Sequence, residues 1–164
     1  GFSAGYRNFD LSAFFQGSGR SSFWIDAHAT APFVAYRYEE NELAGYALQN
    51  QLLKVYADDH WSEDSRNLHA LWPRLSNTVI GNNTRRSTWF MRDGGFLRLK
   101  SVELAYNVPG RLIERWKIAT TRVYVSGTNL LTFSKFKLWD PEMAGNGLSY
   151  PVQKVFNIGV QIGF

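Results

Sequence analysis

The stretch "VFNIGVQIGF", Val155–Phe164, decides how the sequence is read. Phe156, Ile158, Val160, Ile162 and Phe164 alternate with Val155, Asn157, Gly159, Gln161 and Gly163, a period of two over ten residues. Successive side chains on a strand point to opposite faces, so this segment reads as a strand with one wholly apolar face and one small or polar face. Its length also matches the span of a tilted transmembrane β-strand, roughly 9–11 residues.

The same alternation recurs upstream. In "FDLSAFFQG", Phe9, Leu11, Ala13 and Phe15 alternate with Asp10, Ser12, Phe14 and Gln16. In "FLRLKSVELAYNV", Val102, Leu104 and Tyr106 share one face opposite Ser101, Glu103 and Asn107, while Leu97 and Leu99 fall out of phase. Either a bulge restores the register or that upper part projects beyond the bilayer. In "TTRVYVSGTNLLTFS", Val123, Val125, Leu131 and Phe133 lie on one face, with Arg122, Tyr124, Ser126 and Thr128 opposite and Asn129 misplaced on the apolar side. "GFSAGY" already alternates from Gly1, so the chain reads as starting in mid-strand, a fragment of something longer.

The predicted architecture is all-β: strands at about 1–6, 9–17, 87–107, 120–133 and 153–164 of a large antiparallel barrel. A tight turn at Arg7-Asn8 and an amphipathic connector at about 108–119, with Pro109 before a single helical turn, lie on one side. Long loops at about 18–86 and 134–152 lie on the other. The first holds a possible short strand at Phe23–Asp26 and a helical stripe of Leu43, Tyr46, Ala47, Leu53 and Tyr56. Short turns on one side and long loops on the other are characteristic of outer-membrane barrels, with the short side periplasmic. Lipid-facing positions are then Phe9, Leu11, Ala13, Phe15, Val102, Leu104, Val123, Val125, Phe156, Ile158, Val160 and Ile162. Lumen-facing positions are Asp10, Ser12, Gln16, Glu103, Tyr124, Ser126, Thr128, Asn157 and Gln161.

Composition is compatible with this reading. Aromatics make up 16% of the 164 residues and hydrophobic residues 45%, yet mean hydropathy is −0.29, which suits strands with one greasy face. No run approaches the roughly 18 apolar residues of a spanning helix, a test that β-barrel strands escape. The net charge of +4 comes from scattered arginines without a basic stripe, so nucleic acid is not an expected partner. The absence of cysteine excludes disulfides and thiolate metal sites.

Two resemblances add to this. Read back from Phe164, Asn157-x-Gly159-x-x-Ile162-x-Phe164 resembles the C-terminal signal that outer-membrane barrels present to the barrel-assembly machinery, which pairs its own strand edge with the incoming strand. "FLRLKSVELAYNVP", "RVYVSGTNLLTFSKF", "DPE" and "GLSYPVQKVFNIGVQIGF" look like the C-terminal strands of SusC/RagA-like TonB-dependent transporters. "YRNFDLSAFFQGS" resembles an earlier hairpin, and "LWPRLSN" with "STWFMRDGGFLRLK" a late extracellular region, of the same family. The resemblance implies a plugged barrel of about 22 strands in the outer membrane of a Gram-negative bacterium. It implies active import of oligosaccharides or peptides, with a SusD-like surface lipoprotein as lid and TonB acting through an N-terminal part not contained in these residues. The rest of the same barrel and outer-membrane lipid are the other implied partners.

No enzyme is expected. His28, His60 and His69 share no ligand spacing, and "ADDHWSED" lacks the glycine and spacing of a calcium loop, so neither a cofactor nor a metal is implied. Trp61, Trp72 and Trp89 fall in the expected external region, where an indole face can stack on a ligand or pack against a partner or the large loop. Tyr106, Trp116 and Phe164 fit an aromatic belt at the membrane interface. Two readings from other classes compete: a soluble carbohydrate-binding β-sandwich with the tryptophans as platform, and a non-transporting outer-membrane barrel such as an adhesin.

Overall fold

The structure, a computed structural model, describes residues 1–33, 50–77 and 80–164. The described residues hold seven strands: β1 (Phe2–Tyr6), β2 (Phe9–Ser18), β3 (Ser22–Trp24), β4 (Met91–Asp93), β5 (Phe96–Asn107), β6 (Thr120–Ser134) and β7 (Val155–Gly163). Four short helices accompany them: α1 (Ala27–Thr30), α2 (Lys54–Asp58), α3 (Gly81–Thr84) and α4 (Gly110–Ile113). None among the described residues is long and apolar enough to cross a membrane. The chain divides into two compact units: Gly1–Ser22, Asp93–Met143 and Leu148–Phe164 form one, and Phe23–Arg92 with Ala144–Gly147 the other.

The first unit is an open antiparallel sheet in the order β1-β2-β5-β6-β7. Directly paired residues share a face, so the register shows whether the strands' apolar sides coincide. They do. One row runs Ala4–Leu11–Leu104–Val125–Ile158, the next Tyr6–Phe9–Tyr106–Val123–Val160, and a third Phe2–Ala13–Val102–Gly127–Phe156. The opposite face carries Ser3–Ser12–Glu103–Ser126–Asn157 and Gly5–Asp10–Ala105–Tyr124–Gly159. A single slip of one residue would scramble both faces, so the apolar pattern itself holds the register.

Leu97 and Leu99 are brought back into phase by a bulge. β2 advances one residue from Phe14 to Phe15 while β5 advances two, from Ser101 to Leu99, leaving Lys100 as the extra residue. Leu99 therefore pairs with Phe15 and Leu131, and Leu97 with Gly17 and Phe133, on the apolar side. β6 answers with its own irregularity, three residues from Thr128 to Leu131 against two in β5. There Asn129 adopts a left-handed conformation, φ 55°, which asparagine tolerates better than most residues. Its side-chain amide donates to the Gln153 carbonyl at 2.9 Å. The residue that breaks the alternation is thus the one that turns the bulge.

Three sequence expectations are corrected. The stretch 87–107 is not one strand: Thr88–Phe90 is a 3-10 turn, and β4 pairs with β3 instead of continuing into β5. The Asp93 carboxylate accepts the Gly95 amide at 2.8 Å and turns the chain at Gly94-Gly95. Leu53 precedes α2 with extended backbone, so the helix is only Lys54–Asp58; Leu43, Tyr46 and Ala47 lie outside the described residues. The strand expected at Phe23–Asp26 is β3, Ser22–Trp24.

Replacing Asn129 with valine is expected to destabilise the sheet by about 1–2 kcal/mol, because a β-branched residue resists the left-handed region. Asn129→Gly should cost less than half of that. Denaturation midpoints of the three proteins provide the comparison; equal costs would mean that backbone strain is not what Asn129 relieves.

Candidate functional site

The polar face of the sheet carries two sets of hydrogen-bonded side chains that together span four strands. Arg122 on β6 donates to the Glu103 carboxylate of β5 at 2.6 Å and, more weakly, to Gln161 of β7 at 3.4 Å. Its guanidinium carbon is 5.6 Å from the Tyr124 ring centroid. Asn107 on β5 donates to Asp10 on β2 at 2.7 Å. Arg122 and Gln161 face each other directly across the ladder. Glu103 lies two same-face steps along β5 from the Arg122 partner Asn107, and Asn107 one step from the Asp10 partner Ala105, so these longer side chains meet diagonally along the polar face. Beside them Ser3, Asp10, Ser12, Glu103 and Arg122 line an open depression of about 390 Å³. Ala4, Gly5 and Leu11 complete the lining, and the predominance of hydrogen-bonding groups suits a wall exposed to water or to a polar ligand.

At the other end of the same face, Arg98 is buried to 1% exposure. It projects opposite to Leu97 and Leu99, so the Lys100 bulge also decides its side of the sheet. Its guanidinium pairs with Asp140 and, at 3.4 Å, with Glu142; Lys100 approaches Glu142 at 3.8 Å. The "DPE" motif, Asp140-Pro141-Glu142, thereby clamps the segment after β6 onto β5. Asp140 also accepts the Glu142 amide at 3.0 Å, so one carboxylate holds both the arginine and its own turn. A buried guanidinium requires this pairing, since an isolated buried charge is strongly unfavourable. Nothing in the motif alone identified its partner, which lies 42 residues away.

The second unit is built on aromatic packing. Tyr56, Trp72 and Phe90 are each 1–3% exposed, with Tyr56 and Trp72 stacked at 4.4 Å and Trp72 and Phe90 tilted at 5.5 Å. The Tyr56 hydroxyl donates to Thr30 Oγ1 at 2.8 Å. Backbone bonds seat Trp72 from both sides: its amide donates to the Asp59 carbonyl at 3.1 Å, and the Trp61 amide donates to its carbonyl at 2.9 Å. Asn50 ties α1 down by donating to the carbonyls of Ala29 and Ala31, both at 3.0 Å. Burial raises the Tyr56 phenol above its ordinary range, opposed by the bond to Thr30 and the charge of Arg92. Burial lowers the Arg92 guanidinium, opposed by Tyr56 and Asp59.

This packing corrects one expectation. Both faces of Trp72 are committed to the core, so it offers no platform to a ligand. Trp61 and Trp89 are half-buried, and the Trp89 indole N–H is buried with no acceptor among the described residues. His60 rests on the Ala57 carbonyl at 2.9 Å, and no group of three metal-binding side chains converges among the described residues.

The four residues singled out on β7 occupy its two faces. Asn157 pairs with Ser126 and Gly159 with Tyr124 on the polar side; Ile162 pairs with Thr121, and Phe164 follows directly after the strand. Gly159 has a steric reason. A Cβ there would stand 2.5 Å from the Tyr124 ring, which lies across the glycine. β7 is the outermost strand of the described sheet, so its far edge is unpaired.

No protein-family model matches the chain. In sequence it is 28% identical to TonB-dependent receptor P3 and 26% identical to TonB-dependent receptor P26, both of Formosa agariphila. Each alignment covers 97% of this chain but only 15% and 16% of the respective receptors, so the chain spans about a sixth of the curated relatives it matches. In structure it is similar to the RagAB peptide transporter, with a TM-score of 0.63, and to the RagAB peptide importer in its "closed-closed" state, with a TM-score of 0.65. Both likenesses are at 24% identity and cover 99% of this chain and 16% of that one. The antiparallel sheet has the fold of a portion of a TonB-dependent barrel.

Two consequences are measurable. Arg98→Met is expected to cost about 3 kcal/mol, the low end for breaking a buried pair because Asp140 keeps some contact with water. It should also open the 135–143 segment to protease, and Arg98→Lys should restore part of the protection. For Tyr56 the folded state retains its proton more tightly than the unfolded state does. Its contribution is therefore full below the ordinary tyrosine value of about 10 and is lost as pH rises from there through the raised folded value. Tryptophan-fluorescence melts at about pH 9 and about pH 11 should diverge in the wild type more than in Tyr56→Phe, which itself loses about 1 kcal/mol at the lower pH.

Proposed function

We propose that the chain is part of the wall of an outer-membrane TonB-dependent importer of the SusC/RagA-like kind, in a Gram-negative bacterium. The observation that carries this reading is the sheet's two-sidedness. One face presents apolar rows across all five strands to the outside, with Phe156 at 74% and Ile158 at 79% exposure, while the other carries the charged and amide ladder. A soluble sandwich would cover such a face with a second layer. Lipid covers it here, and the polar ladder faces the lumen.

In this reading the outer edges of β1 and β7 pair with strands supplied by the rest of the same barrel, because an open edge in a bilayer leaves backbone groups unsatisfied. The segments 18–86 and 134–152 lie outside the cell, and 108–119 is a periplasmic turn. Asn157, Gly159, Ile162 and Phe164 form the signal read by the barrel-assembly machinery. A SusD-like lipoprotein meets the external segments, and Trp61 and Trp89 are candidate contacts for it or for cargo. TonB acts on parts of the protein beyond this chain. The cargo is an oligosaccharide or a peptide; the RagAB likeness supports the peptide class. The residues described here contribute walls and contacts, and no catalytic role is assigned to them.

The faces are tested by charge. Ile158→Arg is expected to destabilise the folded barrel in lipid by about 2–4 kcal/mol if the site lies near the bilayer midplane, and Gln161→Arg by much less. Refolding titrations into vesicles measure both. Equal costs would falsify the assigned faces.

A further inference from the structure

One end of the sheet combines exposed apolar side chains with unpaired cations. The Arg7-Asn8 turn, the β5–β6 connector and the end of β7 meet there: the Asn107 amide donates to the Asn8 carbonyl at 2.8 Å, and the Ala119 amide donates to the Gly163 carbonyl at 2.8 Å. The connector runs through α4 into a 3-10 turn at Glu114–Trp116 and ends at Lys117 in the left-handed conformation, φ 57°. Ile113 is buried and anchors it. Leu112 and Trp116, four residues apart, are 60% and 69% exposed, and Tyr6 on β1 is 70% exposed.

Arg111 and Arg115, also four residues apart, are exposed, as are Lys117 and Arg7. Arg7 lies 5.3 Å from the Tyr6 ring centroid. No ion pair among the described residues engages any of these four cations. Glu114 is the only acid in the connector. Water alone does not favour leucine and tryptophan at the tip of a turn, and a protein surface poor in negative charge would leave the cations without counter-charges. An apolar body beside a cluster of cations matches the boundary between acyl chains and anionic headgroups.

We propose that Arg7, Arg111, Arg115 and Lys117, with Leu112 and Trp116, form a docking surface for the phosphate headgroups of anionic phospholipid in the adjoining leaflet. The proposal rests on the reading of the sheet as a membrane wall. Leu112 and Trp116 seat in the upper acyl region, and the guanidinium and ammonium groups donate to headgroup phosphates just above. Arginine suits this role because its planar fork binds phosphate oxygens in pairs. The surface fixes the depth of the barrel in the bilayer at its short-turn end.

The test uses the full-length barrel in nanodiscs of equimolar phosphatidylethanolamine and phosphatidylglycerol, with retained lipid counted by native mass spectrometry. Heat-modifiable electrophoretic mobility reports insertion separately. Wild type should retain phosphatidylglycerol on the order of five-fold over phosphatidylethanolamine. The R111Q/R115Q/K117Q variant should insert but lose that preference, R111K/R115K should keep most of it, and excess inorganic phosphate should leave it in place. Equal retention of the two lipids by inserted wild type, or a preference that survives the triple substitution, overturns the docking surface alone. Displacement by inorganic phosphate shows a free anion to be the ligand and overturns the lipid assignment. A wild-type barrel that never inserts overturns the wall reading, and the docking surface with it.

Discussion

The lateral hydrogen-bond ladder linking β2, β5, β6 and β7 is the constraint from which the rest of the sheet follows. Away from the bulges, backbone groups on the inner strands find their partners sideways, which frees both faces to differ completely in chemistry. Because side chains alternate strictly, a single register serves the apolar rows and the polar ladder at once. Leu104 cannot pair with Val125 unless Glu103 pairs with Ser126, which puts Glu103 and Arg122 on the same face within side-chain reach. Both members of the ion pair are therefore placed on the polar face by the same register that positions the greasy face.

That coupling would fail along strands of this length without local correction. β6 has 15 residues, and its alternation breaks near the middle. The bulge at Lys100 and the left-handed turn at Asn129 let Leu97, Leu99, Leu131 and Phe133 stay with the apolar rows. By the same shift Arg98 passes to the polar side, where Asp140 and Glu142 meet it. One irregularity thus sets the phase of the apolar face and creates the anchor for the segment that follows β6. Bulges near functional features are commonly of this kind, re-aiming a side chain while the ladder continues.

The second unit obeys a different logic. Its secondary structure is sparse, with helices of four or five residues, so backbone regularity contributes little to holding it together. Stacked Tyr56 and Trp72, with Phe90 tilted against the indole, centre the core, and side-chain amides such as Asn50 satisfy carbonyls that would otherwise be left bare. An aromatic cluster stapled by backbone bonds gives an irregular loop region a fixed shape. The likeness to RagAB over 99% of the chain covers this unit as well as the sheet.

The alternating strands were legible in the sequence because a half-apolar strand writes its faces directly as a period of two. The alternation alone puts Phe156, Ile158, Val160 and Ile162 on one side and Glu103 and Gln161 on the other. Asymmetric connection lengths and the glycine-containing last strand were legible for similar local reasons. Trp72 was not: exposure depends on what packs against an indole, and Tyr56 and Phe90 arrive from distant positions in the chain. Arg98 was equally opaque, since its side of the sheet depends on a one-residue bulge and its partner lies in a loop. By itself, then, the sequence determined the long alternating strands of the sheet, their faces and the order of short and long connections, all of which arise from neighbours along the chain. Only the tertiary structure decided the bulge, the Arg98 clamp and the burial of Trp72, because each depends on residues that the fold alone brings together.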